Sequence, residues 1–207
     1  MDMDDVQELV RLIRQKYVDY FVAAAGELAR NGQGSHATEI KFSNVDSFYR
    51  NLIAVDFVGN DGQPNPQFIN CDSYVKFSPD IHAGMGGMDV LISPFRWDEI
   101  HFKFPINELD GDLFDEWFRG WFDIDGERET SETVGNVIHS AQLLDGQLTI
   151  DFGTAEVDAF WHLLQILNRS GVHSLAIGTD DIAQRLNCAL TIIGAFAHSP
   201  DQISISR

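Results

Sequence analysis

Seven histidines are spread along the chain, His36, His82, His101, His139, His162, His173 and His198, and none stands in the spacing of a metalloprotease helix or a zinc finger. Any site they form must be assembled by folding. His101 and His139 each fall in a segment that reads as a strand, so a shared sheet face would bring them near Asp98, Asp151 or each other for general-base work or metal binding. Against this stands the reading of isolated histidines on a polar strand face. Asp158 and His162, four apart on a predicted helix, share a side with Gln165 and Arg169, opposite Val157, Phe160, Trp161 and Leu164, which reads as a solvated face.

Nucleophilic and phosphate chemistry find no motif. The chain has no Gly-x-Ser-x-Gly elbow, and Cys71 and Cys188 have no neighbours that would activate a thiol. The segment from His82 to Asp89 is glycine-rich but lacks the Lys-Ser/Thr ending of a P-loop, so a hairpin or wide loop is expected there. Asp151-Phe152-Gly153 copies three letters of a kinase signature without its companions. No catalytic residue, metal ligand or cofactor is therefore assigned.

The most distinctive segment runs from Asp110 to Asp125, where acids and aromatic residues interleave. One reading makes Trp117 and Trp121 partly exposed anchors ringed by Asp112, Asp115, Glu116, Asp123 and Asp125, a surface suited to a basic protein partner. Aromatic anchors dominate interface energetics, and the surrounding charge steers encounter. The competing reading is an amphipathic helix whose Trp and Phe fill the core while its acids face water. A calcium loop does not fit: counted from Asp123, Arg128 takes the place of the glycine at position six, and counted from Asp110, Trp121 takes that of the glutamate at position twelve.

The elements that must position these residues follow from periodicity. Val6, Leu9, Val10, Ile13, Tyr17, Tyr20, Phe21, Ala24 and Leu28 line one face of a long helix over 5–30, capped by Asp4 or Asp5 and ended at Asn31-Gly32. Strands are expected at 39–42, 52–58, 73–77, 88–92 and 99–104, with a turn-rich loop from Gly59 to Pro66. A helix over 112–122 follows, then two strands, 134–144 and 147–152, flanking Asp145-Gly146. Thr154 caps a helix to Arg169 that Ser170-Gly171 ends, 173–177 is a strand, and a last helix runs from Thr179 to Ala197 before an edge strand at 203–205. The expectation is one α+β domain over 1–207, with a mainly antiparallel sheet of seven or eight strands and four main helices packed on it.

Composition narrows the partners. With 207 residues, 44% of them hydrophobic, the chain can bury about 70% of its unfolded surface without disulfide staples, and its two distant cysteines fit a reducing compartment. No apolar stretch is long enough for a membrane helix, and the acidic start is unlike a secretory signal, so a cytoplasmic protein is expected. The formal charge of −18 repels nucleic acid and anionic membranes, and residues 104–160 alone contribute −12 of it. The expected function is an acidic binding or inhibitory protein docking a basic partner, in the manner of a toxin-neutralising immunity protein or an effector chaperone. The alternative is a small hydrolase or ligand-binding enzyme using His101, His139 and nearby carboxylates. A third reading is a subunit of a larger complex, or a homodimer that buries the aromatic face of 113–122 against itself.

Overall fold

The structure, a computed structural model, describes residues 3–30, 71, 75–105, 110–122, 136–144 and 147–179, together with five two-residue strands between 35 and 67. The apolar stripe of the N-terminal segment forms helix α1 (Met3–Arg30), whose Val6, Val10, Ile13, Tyr17 and Phe21 are buried. Tyr20 was expected on that face but is 45% exposed, because it stands at the margin of the stripe. Asp4 and Asp5 lie in the first turn, where their charge favours the positive helix end.

The strands are β1 (Ser35–His36), β2 (Lys41–Phe42), β3 (Leu52–Ile53), β4 (Phe57–Val58), β5 (Pro66–Gln67), β6 (Ile81–Met85), β7 (Met88–Ile92), β8 (Ile100–Lys103), β9 (Ser140–Leu144), β10 (Gln147–Asp151) and β11 (Ser174–Gly178). The six longer ones, β6 to β11, form the body of a sheet in the order β9-β10-β8-β11-β7-β6, which β3 and then β2 extend beyond β9. The short β1, β4 and β5 make a separate three-stranded sheet. Helices α2 (Gly111–Phe122) and α3 (Val157–Arg169) complete the described elements.

The main sheet is mixed, not antiparallel throughout. Every pair in it is antiparallel except β11 with β7, which run parallel from Ser174 opposite Asp89 to Ile177 opposite Ile92. The cause is a crossover: α3 carries the chain from β10 over β8, so β11 enters between β8 and β7. Leu175, Ala176, Ile177 and Gly178 are all buried, as a strand covered on both faces requires. Three helices are described, and the fourth, expected to follow a cap at Thr179 or Asp180 and run to about Ala197, lies beyond Thr179 and outside the described residues, as does the strand expected at 203–205.

Glycine marks a turn in the β6–β7 hairpin. Gly86 (φ 60°) and Gly87 (φ 92°) form its two-residue connection, while Ala83 and Gly84, expected in the loop, are strand residues paired with Val90 and Asp89. At the other end of the sheet, α3 starts after Glu156 rather than Thr154, whose hydroxyl accepts the Val137 N–H at 3.3 Å instead of capping the helix. Its stop at Ser170-Gly171 is as expected: Gly171 adopts φ 85°, and the Ser170 N–H donates to the Ile166 carbonyl.

One side of the sheet carries Val90, Ile92, Ile100, Phe102, Leu148, Ile150 and Ile177, all buried beneath the helices. Phe160 of α3 sits at the centre of this core, with ring centroids 5.8 Å from Phe102, 5.9 Å from Phe152 and 6.0 Å from Phe95. The two flanks of α3 take different neighbours. Ala159 and His162 meet α2, while Trp161, Leu164, Gln165 and Asn168 face the first turns of α1. No described helix is long and apolar enough to cross a membrane.

Candidate functional site

Helix α2 exists because its first turn is capped: Asp110 Oδ1 accepts the backbone N–H groups of Asp112 (3.1 Å) and Leu113 (3.2 Å). Its apolar stripe, Phe114, Trp117, Phe118 and Phe122, is buried against α3 and the sheet. That geometry turns Asp112, Asp115 and Glu116 away from the core, with Asp112 and Glu116 one turn apart and exposed. Asp115 is ion-paired with Arg119 at 2.8 Å, so part of its charge is compensated within the helix. Asp123 and Asp125, expected in the same surface, lie outside the described residues.

The two tryptophans part company. Trp117 has no exposed surface, and its Nε1–H donates to the Ala159 carbonyl at 3.0 Å, so it is a core residue rather than a docking anchor. The core reading of the aromatic stripe holds for Trp117, Phe114, Phe118 and Phe122, and α3 already covers the face that a second copy was expected to bury. Trp121, at the end of the stripe, is half-buried. Its Nε1–H donates to His162 Nδ1 at 3.1 Å, with the rings 67° apart. His162, expected on a purely solvated face, is thus drawn into the seam between α2 and α3, and the exposed Asp158 stands one turn before it. The result is a half-buried Trp–His pair at the C-terminal end of α2, with the acids of that helix on its other side.

The strand histidines do not share a site. His101 Nε2 lies 3.8 Å from Glu99 Oε1 on the polar side of β8, opposite Thr149 in the register. His139 instead precedes β9 and is 1% exposed, with Nδ1 3.8 Å from Asp151 Oδ2 and its ring 5.3 Å from that of Phe21 in α1. Asp98, the other expected partner, accepts from Arg96 Nε (3.0 Å) and from the Cys71 backbone N–H (3.2 Å). Each imidazole therefore meets a different carboxylate, and that of His139 is closed to substrate. Among the described residues no three His, Cys, Asp or Glu side chains converge as a metal site requires.

Two residues without any motif hold the segment after β10. Arg14 of α1 donates to the Ala155 carbonyl at 2.7 Å and the Thr154 carbonyl at 3.1 Å, and pairs with Glu156 at 3.0 Å. Gly153 packs directly on the His139 ring. The Arg14 side chain is 16% exposed and Glu156 51%, so the carbonyl bonds outweigh the ion pair. Replacing Arg14 by Met is expected to lower unfolding stability by about 2 kcal/mol, since hydrogen bonds to a charged donor contribute about 1.5–3 kcal/mol. Glu156→Gln should cost under about 1 kcal/mol, and urea denaturation of both variants checks the ranking.

Comparison of the chain with protein-family models, with curated protein sequences and with solved structures returned no match.

Proposed function

We propose that this chain is a binding protein that docks a basic protein partner through the outer face of α2 and the adjoining seam with α3. The observation that supports the reading most directly is the division of α2: its aromatic stripe is spent on the core, Asp112 and Glu116 stand exposed on its outer side, and the half-buried Trp121–His162 pair lies at the seam with α3 at its C-terminal end. Carboxylates fixed on a rigid helix create a directional field that steers a cationic surface, and a half-buried indole at the end of the same helix supplies apolar contact once the surfaces meet. Residues 104–160, which include α2, contribute −12 of the formal charge of −18, and a net negative charge of that size attracts a cationic partner at long range. A toxin-neutralising or chaperone-like role would use the surface in this way.

The test is charge reversal at Asp112 and Glu116, leaving Asp115 alone because its loss would also disturb Arg119. A partner captured at low salt should dissociate as salt rises, and the double variant Asp112→Lys, Glu116→Lys should associate about tenfold more slowly at low ionic strength. Circular dichroism confirms that the variant is folded, since both positions are exposed. Unchanged association kinetics and salt slope would remove the proposal.

A further inference from the structure

At the end of the molecule formed by the β6–β7 turn, a pocket of about 280 Å³ opens between α1, α3 and that turn. Its lining is unusual for this chain. Met3, Met85 and Met88 all line it, three of the four methionines in the sequence, together with Trp161 and Leu164. Its polar groups are the amides of Gln7, Gln165 and Asn168, so none of the nine described lining residues carries a charge in a chain with 46 charged side chains.

The walls are held in place. The Trp161 ring stands at 90° to Phe160 with centroids 5.0 Å apart, a contact that restrains it. Asn168 Nδ2–H donates to the Gly86 carbonyl at 2.9 Å, tying α3 to the hairpin turn. Gly86 permits this contact: a Cβ there would lie 2.8 Å from Asn168 Nδ2, and its φ of 60° disfavours any other residue.

We infer that this pocket binds a small, uncharged aromatic molecule with a hydrogen-bonding edge. Thioether sulfurs and an indole ring both favour a polarisable ring, while the side-chain amides offer donors and acceptors to its edge. Among the described lining residues a formal charge would find no counter-charge, which favours neutral ligands. The site lies on the α1 side of α3, opposite the seam with α2, and is independent of partner docking.

Indole is a suitable probe, with tryptamine and indole-3-acetate as its charged counterparts. The four tryptophans give four indole N–H resonances, each assignable by a single Trp→Phe replacement. Indole is expected to shift the Trp161 signal and the side-chain amide signals of Gln165 and Asn168, leaving those of Trp97 and Trp117 in place. Both charged analogues should bind at least tenfold more weakly. Gln165→Trp, at an exposed position on the pocket's edge, should plug the site and abolish the shifts without unfolding the protein. The inference is overturned if indole shifts none of these signals, if the shifts persist in Gln165→Trp, or if a charged analogue binds as tightly as indole.

Discussion

Replacing Gly153 by Ala is expected to destabilise the fold by about 3–5 kcal/mol, combining the left-handed backbone penalty with overpacking. A Cβ on Gly153 would lie 2.2 Å from His139 Cδ2 and 2.5 Å from both Cγ and Nε2, inside any contact that van der Waals radii permit. The backbone also adopts φ 49°, which an L side chain resists. Retreat is blocked on two sides, since the Gly153 N–H donates to Asp151 Oδ1 at 2.8 Å and its carbonyl accepts the buried Trp97 Nε1–H at 3.0 Å. The His139 ring is itself buried and lies 5.3 Å from that of Phe21 in α1, so its movement is restricted as well. Gly171→Ala is the control: φ there is 85°, but nothing lies within 4 Å of the added Cβ, so only the backbone penalty of about 1–2 kcal/mol applies. Urea denaturation should rank Gly153→Ala well below Gly171→Ala. The double variant with His139→Ala should be more stable than the sum of the two single losses by about 1–3 kcal/mol. Equal losses at the two glycines would mean that the His139 contact contributes nothing.

That contact was not legible in the sequence, where Asp151-Phe152-Gly153 offered only a false kinase signature. Periodicity announced what depends on neighbours along the chain: the stripe of α1, the outward acids of α2, the stop of α3 at Gly171 and the strand from Met88 to Ile92. What it missed depends on neighbours in space. The parallel pairing of β11 with β7 comes from the path of α3 over β8, which no local pattern encodes. Thr154 has a residue type suited to capping, yet the Val137 N–H claimed its hydroxyl first. In the β6–β7 hairpin, Gly84 and Ala83 looked like loop because glycine is rare inside strands, but only Gly86 and Gly87 needed positive φ. The pocket left a trace in sequence only as scattered methionines and amides on three elements that folding brings together.

Trp117 and Trp121 carry the same lesson into a prediction, because residues four apart on a helix share a stripe and periodicity cannot rank them. Their difference is set by α3: Trp117 lies over Ala159 and is enclosed, with its ring also 6.4 Å from Phe152, whereas Trp121 reaches the seam at His162 and keeps one edge in solvent. Trp117→Ala removes a fully buried ring from a close-packed aromatic core and leaves the Ala159 carbonyl without its side-chain donor, so a loss of about 3–5 kcal/mol is expected. Trp121→Ala removes a half-exposed ring and one side-chain hydrogen bond, and should cost about 1–2 kcal/mol. Affinity for a partner should follow the opposite order. Measured on folded protein, the milder core variant Trp117→Phe should bind as the parent does, while Trp121→Ala should weaken binding about tenfold, as for an anchor at the interface. If Trp121→Ala binds unchanged, the seam between α2 and α3 makes no apolar contact with the partner, and the acids alone would have to carry the recognition. If Trp117→Phe loses affinity while remaining as stable as the parent, the docking surface depends on the packing beneath α2 and not on its outer face.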